Sequence, residues 1–120
     1  MKRFLILFLL IVLSASAIAE PLAGGWENVP HESVELPEDA QAAFDKALEG
    51  LVGAEYIPVA LMSTQVVAGM NYCILCQIMP VVPDAATTWA LVYIYADLQG
   101  NAKITNVYDL YIDRHSTPTE

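Results

Sequence analysis

The sequence predicts an α+β domain in which one long amphipathic helix packs on a four- to five-stranded antiparallel β-sheet. Three observations lead there. Ala40, Ala43, Phe44, Ala47, Leu48 and Leu51 recur at spacings of 3, 1, 3, 1 and 3, which places them on one helical face. Everything after residue 53 is rich in β-branched and aromatic residues, cut by short hairpin-like connections. The last of these segments alternates apolar and polar side chains, the pattern of a half-buried strand.

The chain begins outside that domain. "MKRFLILFLLIVLSASAIAE" has a basic start at Lys2 and Arg3, an apolar run over residues 4–13, and small residues leading to Ala17-Ile18-Ala19. This is the layout of a secretory signal peptide over residues 1–19, cleaved before Glu20. A membrane anchor is the competing reading. It needs about 20 apolar residues, and the run up to Ala19 is shorter and interrupted by Ser14 and Ser16. Export leads to secretion or to a periplasm, with no membrane attachment after cleavage. The complete chain has a formal charge of −9. Residues 20–120 keep only Lys46, Lys103 and Arg114 against fourteen carboxylates, a net charge of −11. Three cations form no basic patch, which disfavours nucleic acid and anionic lipid as partners.

The domain is expected over residues 20–113. Its opening, "EPLAGGWENVPHESVELPED", holds three prolines and two adjacent glycines and is unsuited to a helix, although residues 27–29 can join a sheet edge. The helix follows within residues 37–53 and runs three to four turns. Pro37 suits its first position, Glu38 and Asp39 favour the positive end of the helix dipole, and Gly50 or Gly53 can end it. Gln41, Asp45, Lys46 and Glu49 make its solvated face. "EYIPVALMST" is the next strand, with Pro58 calling for an edge or a bulge. "MNYCILCQIM", "WALVYIYAD" and "AKITNVYDLYID" supply three more. In the last, Ala102, Ile104, Tyr108, Leu110 and Ile112 share a face, with Asn106 as the exception. Residues 114–120 form a polar tail.

Cys73 and Cys76 are the only cysteines. Their spacing resembles a redox motif, but that motif needs a turn opening a helix, and the flanks here are continuous β-type residues. In a strand, positions three apart face opposite ways and lie about 10 Å apart, beyond the Cα separation of about 7 Å that a disulfide allows. Small buried hydrophobes account for them best; intermolecular pairing and metal or redox chemistry are the alternatives. No cofactor is implied. His31 and His115 lie near opposite ends without a ligand-spaced companion. Ser33 and Ser63 lack a nucleophile elbow, the carboxylates form no calcium loop, and a Cys73–His31 pair would need the fold to bring the two together. The chain reads as a protein without catalytic or metal residues.

"TQVVAGMNY" sets a short apolar run between two strand-like stretches. The chain should reverse over residues 67–69, with Gly69 at positive φ and Asn71 a second candidate for such a turn position. Two readings fit: Val66 and Val67 pack inward, or Val66, Val67 and Ala68 ride on an exposed apolar tip. Gln65, Val66, Val67, Ala68 and Gly69 have the form Gln-x-Val-x-Gly. This resembles the first inhibitory hairpin of the cystatin family, the inhibitors of papain-like cysteine proteases. "PLAGGW" supplies the family's N-terminal trunk glycine in Gly24 or Gly25, and the order of trunk, helix and sheet is similar over residues 22–112.

That resemblance implies a cystatin-like fold and inhibition by blockade of the protease cleft. Leu22 and Ala23 would occupy the non-primed subsites, Gly24 or Gly25 would let the trunk bend toward them, and residues 66–69 would approach the catalytic cysteine. Gln65, at the loop base, would brace the hairpin. One part departs: secreted members usually carry a Pro-Trp pair in a second hairpin, whereas "ADLQGNAK" offers Leu98 alone as an apolar contact. Trp26 and Trp89 fall elsewhere, and the disulfides of secreted animal members are absent. A non-inhibitory cystatin-fold binding module for another extracellular partner is therefore the alternative. The resemblance further implies a monomer, with a strand-swapped dimer as the family's other form.

Overall fold

The computed structural model describes residues 24–112. The expected signal peptide, Leu22, Ala23 and the polar tail from Arg114 lie outside the described residues. Strand β1 (Trp26–Asn28) leads through a 3-10 turn (His31–Ser33) to helix α1 (Glu38–Ala47). Strands β2 (Ala54–Val67), β3 (Gly69–Pro80), β4 (Thr88–Ala96) and β5 (Ala102–Leu110) follow. The five strands pair in sequence order, every pair antiparallel. The domain is α+β, with one α-helix over one face of the sheet. No described helix is long and apolar enough to cross a membrane.

The helix buries the face its spacing announced. Ala40, Ala43 and Phe44 meet Leu61, Tyr72, Ile74 and Cys76, and beyond them Val92 and Ile94. It is shorter than the sequence suggests, at ten residues or just under three turns. Leu48 leaves helical geometry with ψ near 1°, Gly50 takes φ of 76°, and Leu51 is half-exposed beyond the end. Pro37 precedes the helix as its N-cap, and its carbonyl accepts from Gln41 N at 2.9 Å. Asp39 Oδ2 accepts from the Tyr72 hydroxyl at 3.2 Å, which ties the first helical turn to β3. Burial, then the Asp39 charge and this bond, push the Tyr72 phenol up to about 12.

Irregularities in the sheet explain two further features. Pro58 sits at a bulge in β2, on the part of that strand that β1 does not reach. In β5 the expected common face is broken. Tyr93 pairs with Asn106 and Ile94 with Ile104, so Thr105 is an extra residue. A bulge of this kind reverses the alternation beyond it. Val107 therefore joins Ala102 and Ile104 against the core, while Tyr108 turns outward and is 59% exposed. Asn106 leaves the apolar face by the same step.

Cys73 and Cys76 are both free and buried in β3. Cys76 faces the helix side, and burial pushes its thiol up to about 12, with nearby Cys73 adding to the shift. Cys73 lies on the outer face near Trp26, Met62 and Tyr93. Burial raises its thiol too, partly offset by a hydrogen bond with Tyr93.

Phe44 is the largest side chain that the helix buries, so Phe44→Ala tests the core directly. The expected loss is about 3–5 kcal/mol, read from the urea midpoint followed by far-ultraviolet circular dichroism. A loss below about 1 kcal/mol, the scale of an ordinary surface substitution, would show that the helix is not docked through this ring.

Candidate functional site: one end of the sheet

An antiparallel meander gathers alternate connections at the same end. The start of β1, the β2–β3 tip and the β4–β5 turn therefore meet, bringing together Gly24, Gly25, Gln65, Val66, Val67, Ala68, Gly69 and Leu98. Val67 pairs with Gly69, leaving Ala68 as the one residue between the strands. Val66 is 60% exposed and Leu98 75%. Of the two readings of "TQVVAGMNY", the exposed tip holds for Val66 and Ala68, whereas Val67 is half-buried.

Gly69 has a φ of 112°. A Cβ there would collide with the carbonyl oxygen of Ala96 and come within 3.1 Å of the Asp97 Cα. The glycine thus serves two needs, the turn and the close approach of one hairpin to the base of the next. Asn71, the other expected turn residue, instead lies within β3 opposite Gln65. Its side-chain amide donates to Gln65 Oε1 at 2.9 Å, and Gln65 Nε2 donates to the Gly24 carbonyl at 3.0 Å. Gln65 braces the hairpin as expected, and it ties the trunk to it as well.

Gly24 N donates to the Val66 carbonyl at 2.8 Å, so the trunk joins the sheet before β1 begins. Neither Gly24 nor Gly25 is among the glycines at positive φ. A Cβ at Gly25 would meet open space, and one at Gly24 would touch the Val66 carbonyl at 3.4 Å. Trp26 fixes the trunk from the outer face, its ring edge-on to Tyr93 with centroids 5.6 Å apart. The Ser63 hydroxyl donates to the Glu27 carbonyl at 2.9 Å beside it.

Sequence reasoning missed Tyr95. Its hydroxyl donates to the Ala68 carbonyl at 2.6 Å, so the tip is held by a side chain two strands away from β2. No local pattern marks this role, because it depends on the register that sets Tyr95 opposite Asn71. The β4–β5 turn has its own brace. Asp97 Oδ1 accepts from the backbone N of Gln99 and of Asn101, each at 2.9 Å, and Oδ2 from Asn101 Nδ2 at 3.1 Å. The backbone bond from Asn101 is the main cause holding the Asp97 carboxyl below its usual 3.8. Gly100, at φ of 89°, closes the loop below Leu98.

His31 is exposed, with Nδ1 2.9 Å from Glu32 Oε2, whereas Cys73 is buried in the sheet. Among the described residues no three His, Cys, Asp or Glu side chains converge as a metal-binding group. Comparison with protein-family models, with curated proteins and with solved structures gave no match. The reading of this site therefore rests on its own geometry and on the motif.

Two outcomes follow from the braces. Tyr95→Phe removes one hydrogen bond and should cost about 1 kcal/mol, with faster amide exchange at Gly69 and unchanged exchange at Ile74; equal exchange at Gly69 would contradict the brace. Asp97 has a lowered native pKa, so its contribution is present above the unfolded value and is lost as pH falls through the native one. The Gln99 and Asn101 amide resonances should therefore move with a midpoint below 3.8. A midpoint at or above that value would refute the turn brace.

Proposed function

We propose that this chain is a secreted, cystatin-like inhibitor of papain-like cysteine proteases, exported by a cleavable signal peptide and without catalytic activity of its own. The observation that carries the reading is the gathering of the trunk, the Gln-Val-Val-Ala-Gly tip and Leu98 at one end of the sheet. A single helix lying over a five-stranded antiparallel meander agrees with the fold that the motif implies.

The mechanism is occlusion. Val66 and Ala68 enter the cleft of the protease beside its catalytic cysteine, and Leu98 contacts the neighbouring wall. Leu22 and Ala23, just ahead of the anchored Gly24, reach the non-primed subsites. The tip offers no scissile bond in an extended, accessible form, since Val66 and Val67 are paired with Met70 and Gly69 and the Ala68 carbonyl is held by Tyr95. Braced hairpins lose little conformational entropy on docking, so modest apolar contact can give tight binding. Leu98 in place of a Pro-Trp pair favours a second reading, a module of the same shape that binds a different extracellular protein.

Titration of the protein against papain and a cathepsin-L-like protease separates the two. Inhibition at submicromolar concentration is expected; none at micromolar concentration would overturn the inhibitor reading. The informative variant is Val66→Asp, because Val66 is exposed and its loss spares the core. It should weaken inhibition at least about tenfold, the effect of losing one central apolar contact, with an unchanged melting temperature. A substitution at Gly69 would disturb the Ala96 contact and the interface together.

A further inference from the structure

The helix covers one face of the sheet and leaves the other bare. Tyr72, Ile74 and Cys76 of β3 and Val92 and Ile94 of β4 point toward the helix. The alternate residues Cys73, Leu75, Trp89, Leu91 and Tyr93 therefore look the other way. Beyond the Thr105 bulge, Tyr108 and Leu110 of β5 join them, since Val107 packs against the core. Trp26 and Met62, both exposed, extend this outer surface over β1 and β2.

Its composition sets it apart from the rest of the molecule. The chain carries fourteen carboxylates, yet the described residues of β3, β4 and β5 place none of them on this face. Asp109, between the outward Tyr108 and Leu110, turns to the helix side. Lys103 is the one charge that these three strands put there, at the rim beside the β4–β5 turn. Aromatic side chains and a methionine with few charges are the composition of an interface core rather than of solvated surface. Four strands about 4.8 Å apart and nine residues deep at about 3.3 Å per residue give roughly 600 Å² in projection. That approaches the roughly 800 Å² per partner of a standard specific interface.

The same face holds a hollow and a knob. The hollow, of about 380 Å³, lies among Trp26, Met62, Cys73, Leu91 and Tyr93. Tyr108 pairs with Leu91 across the β4–β5 ladder, so this exposed ring stands one strand away from the hollow. A two-fold axis in the plane of the face, passing between the two, seats each tyrosine in the hollow of the other copy. Such self-complementarity is what an isologous contact requires.

We propose that the outer face is the interface of a homodimer, two copies packed sheet on sheet with Tyr108 of each in the hollow of the other. Meeting here, two acidic chains set no carboxylate of β3, β4 or β5 against another. Val66, Ala68 and Leu98 stay at the end of the sheet, outside the contact, so the dimer is independent of the inhibitory reading. The β2–β3 hairpin remains closed in it, which separates it from a strand-swapped form.

Sedimentation equilibrium of the protein between about 1 and 100 μM tests this, with a micromolar dissociation constant expected. Tyr108→Asp and Met62→Lys, at exposed positions on the knob and beside the hollow, should each weaken the dimer at least about tenfold, the effect of losing one central apolar contact. An equimolar mixture of the two variants should associate again, because one of the two symmetry-related contacts becomes an Asp–Lys pair and the other is native. Circular dichroism checks that both variants stay folded. A monomer at every concentration up to about 100 μM would overturn the assignment. So would full dimerisation of both folded variants, as a strand-swapped form would show, or a mixture no more associated than either variant alone.

Discussion

The contact between Gly69 and the Ala96 carbonyl is the constraint on which the rest of this end of the molecule depends. Only a residue without Cβ lets the β2–β3 tip lie directly against the end of β4. That approach brings the Ala68 carbonyl within reach of the Tyr95 hydroxyl, which adds the next restraint. With the tip fixed, the Val66 carbonyl and the Gln65 amide stand in line to receive the trunk at Gly24. Trp26 then closes the assembly from the outer face by its edge contact with Tyr93. Each step positions the donor or acceptor that the following one uses. A glycine that a sequence marks as turn chemistry is also, in three dimensions, the joint between two hairpins.

How much of this was legible in the sequence varies with the range of the forces involved. The buried face of α1 was legible because Ala40, Ala43 and Phe44 repeat at the helical period. Its end was not, since Leu48 and Leu51 continue that spacing after the backbone has turned away through Gly50. Pro58 announced a bulge by its own chemistry, a missing N–H. The Thr105 bulge had only one trace, the polar Asn106 in an otherwise alternating strand, and nothing local says whether such a residue is an exception or a change of face. At the site, Gly69 and Gln65 were legible from the motif. Asn71 was ambiguous because asparagine suits both positive φ and side-chain pairing, and the outcome was set by Gln65 across the ladder. Tyr95 was beyond reach, as its partner is fixed by register between strands far apart in sequence.

Exposed apolar side chains alone do not single out a docking surface here. The opposite end of the sheet also presents them, with Val52 at 88% exposure and Val81 and Val82 close behind. The difference lies in how each end is held. At the far end, Val52 and the two valines after β3 sit on loops outside the strands, joined by the bond from Val81 N to the Gly53 carbonyl. At the near end, Val66 lies within β2, the tip is pinned by Tyr95, and Leu98 rides on a turn whose amides converge on one carboxylate. Ordering a loop on association costs free energy that a braced hairpin has already met during folding. Apolar surface of similar exposure is therefore worth more for binding where it is rigid, and by that measure the end that bears the Gln-Val-Val-Ala-Gly tip suits the proposed docking better than the far end does.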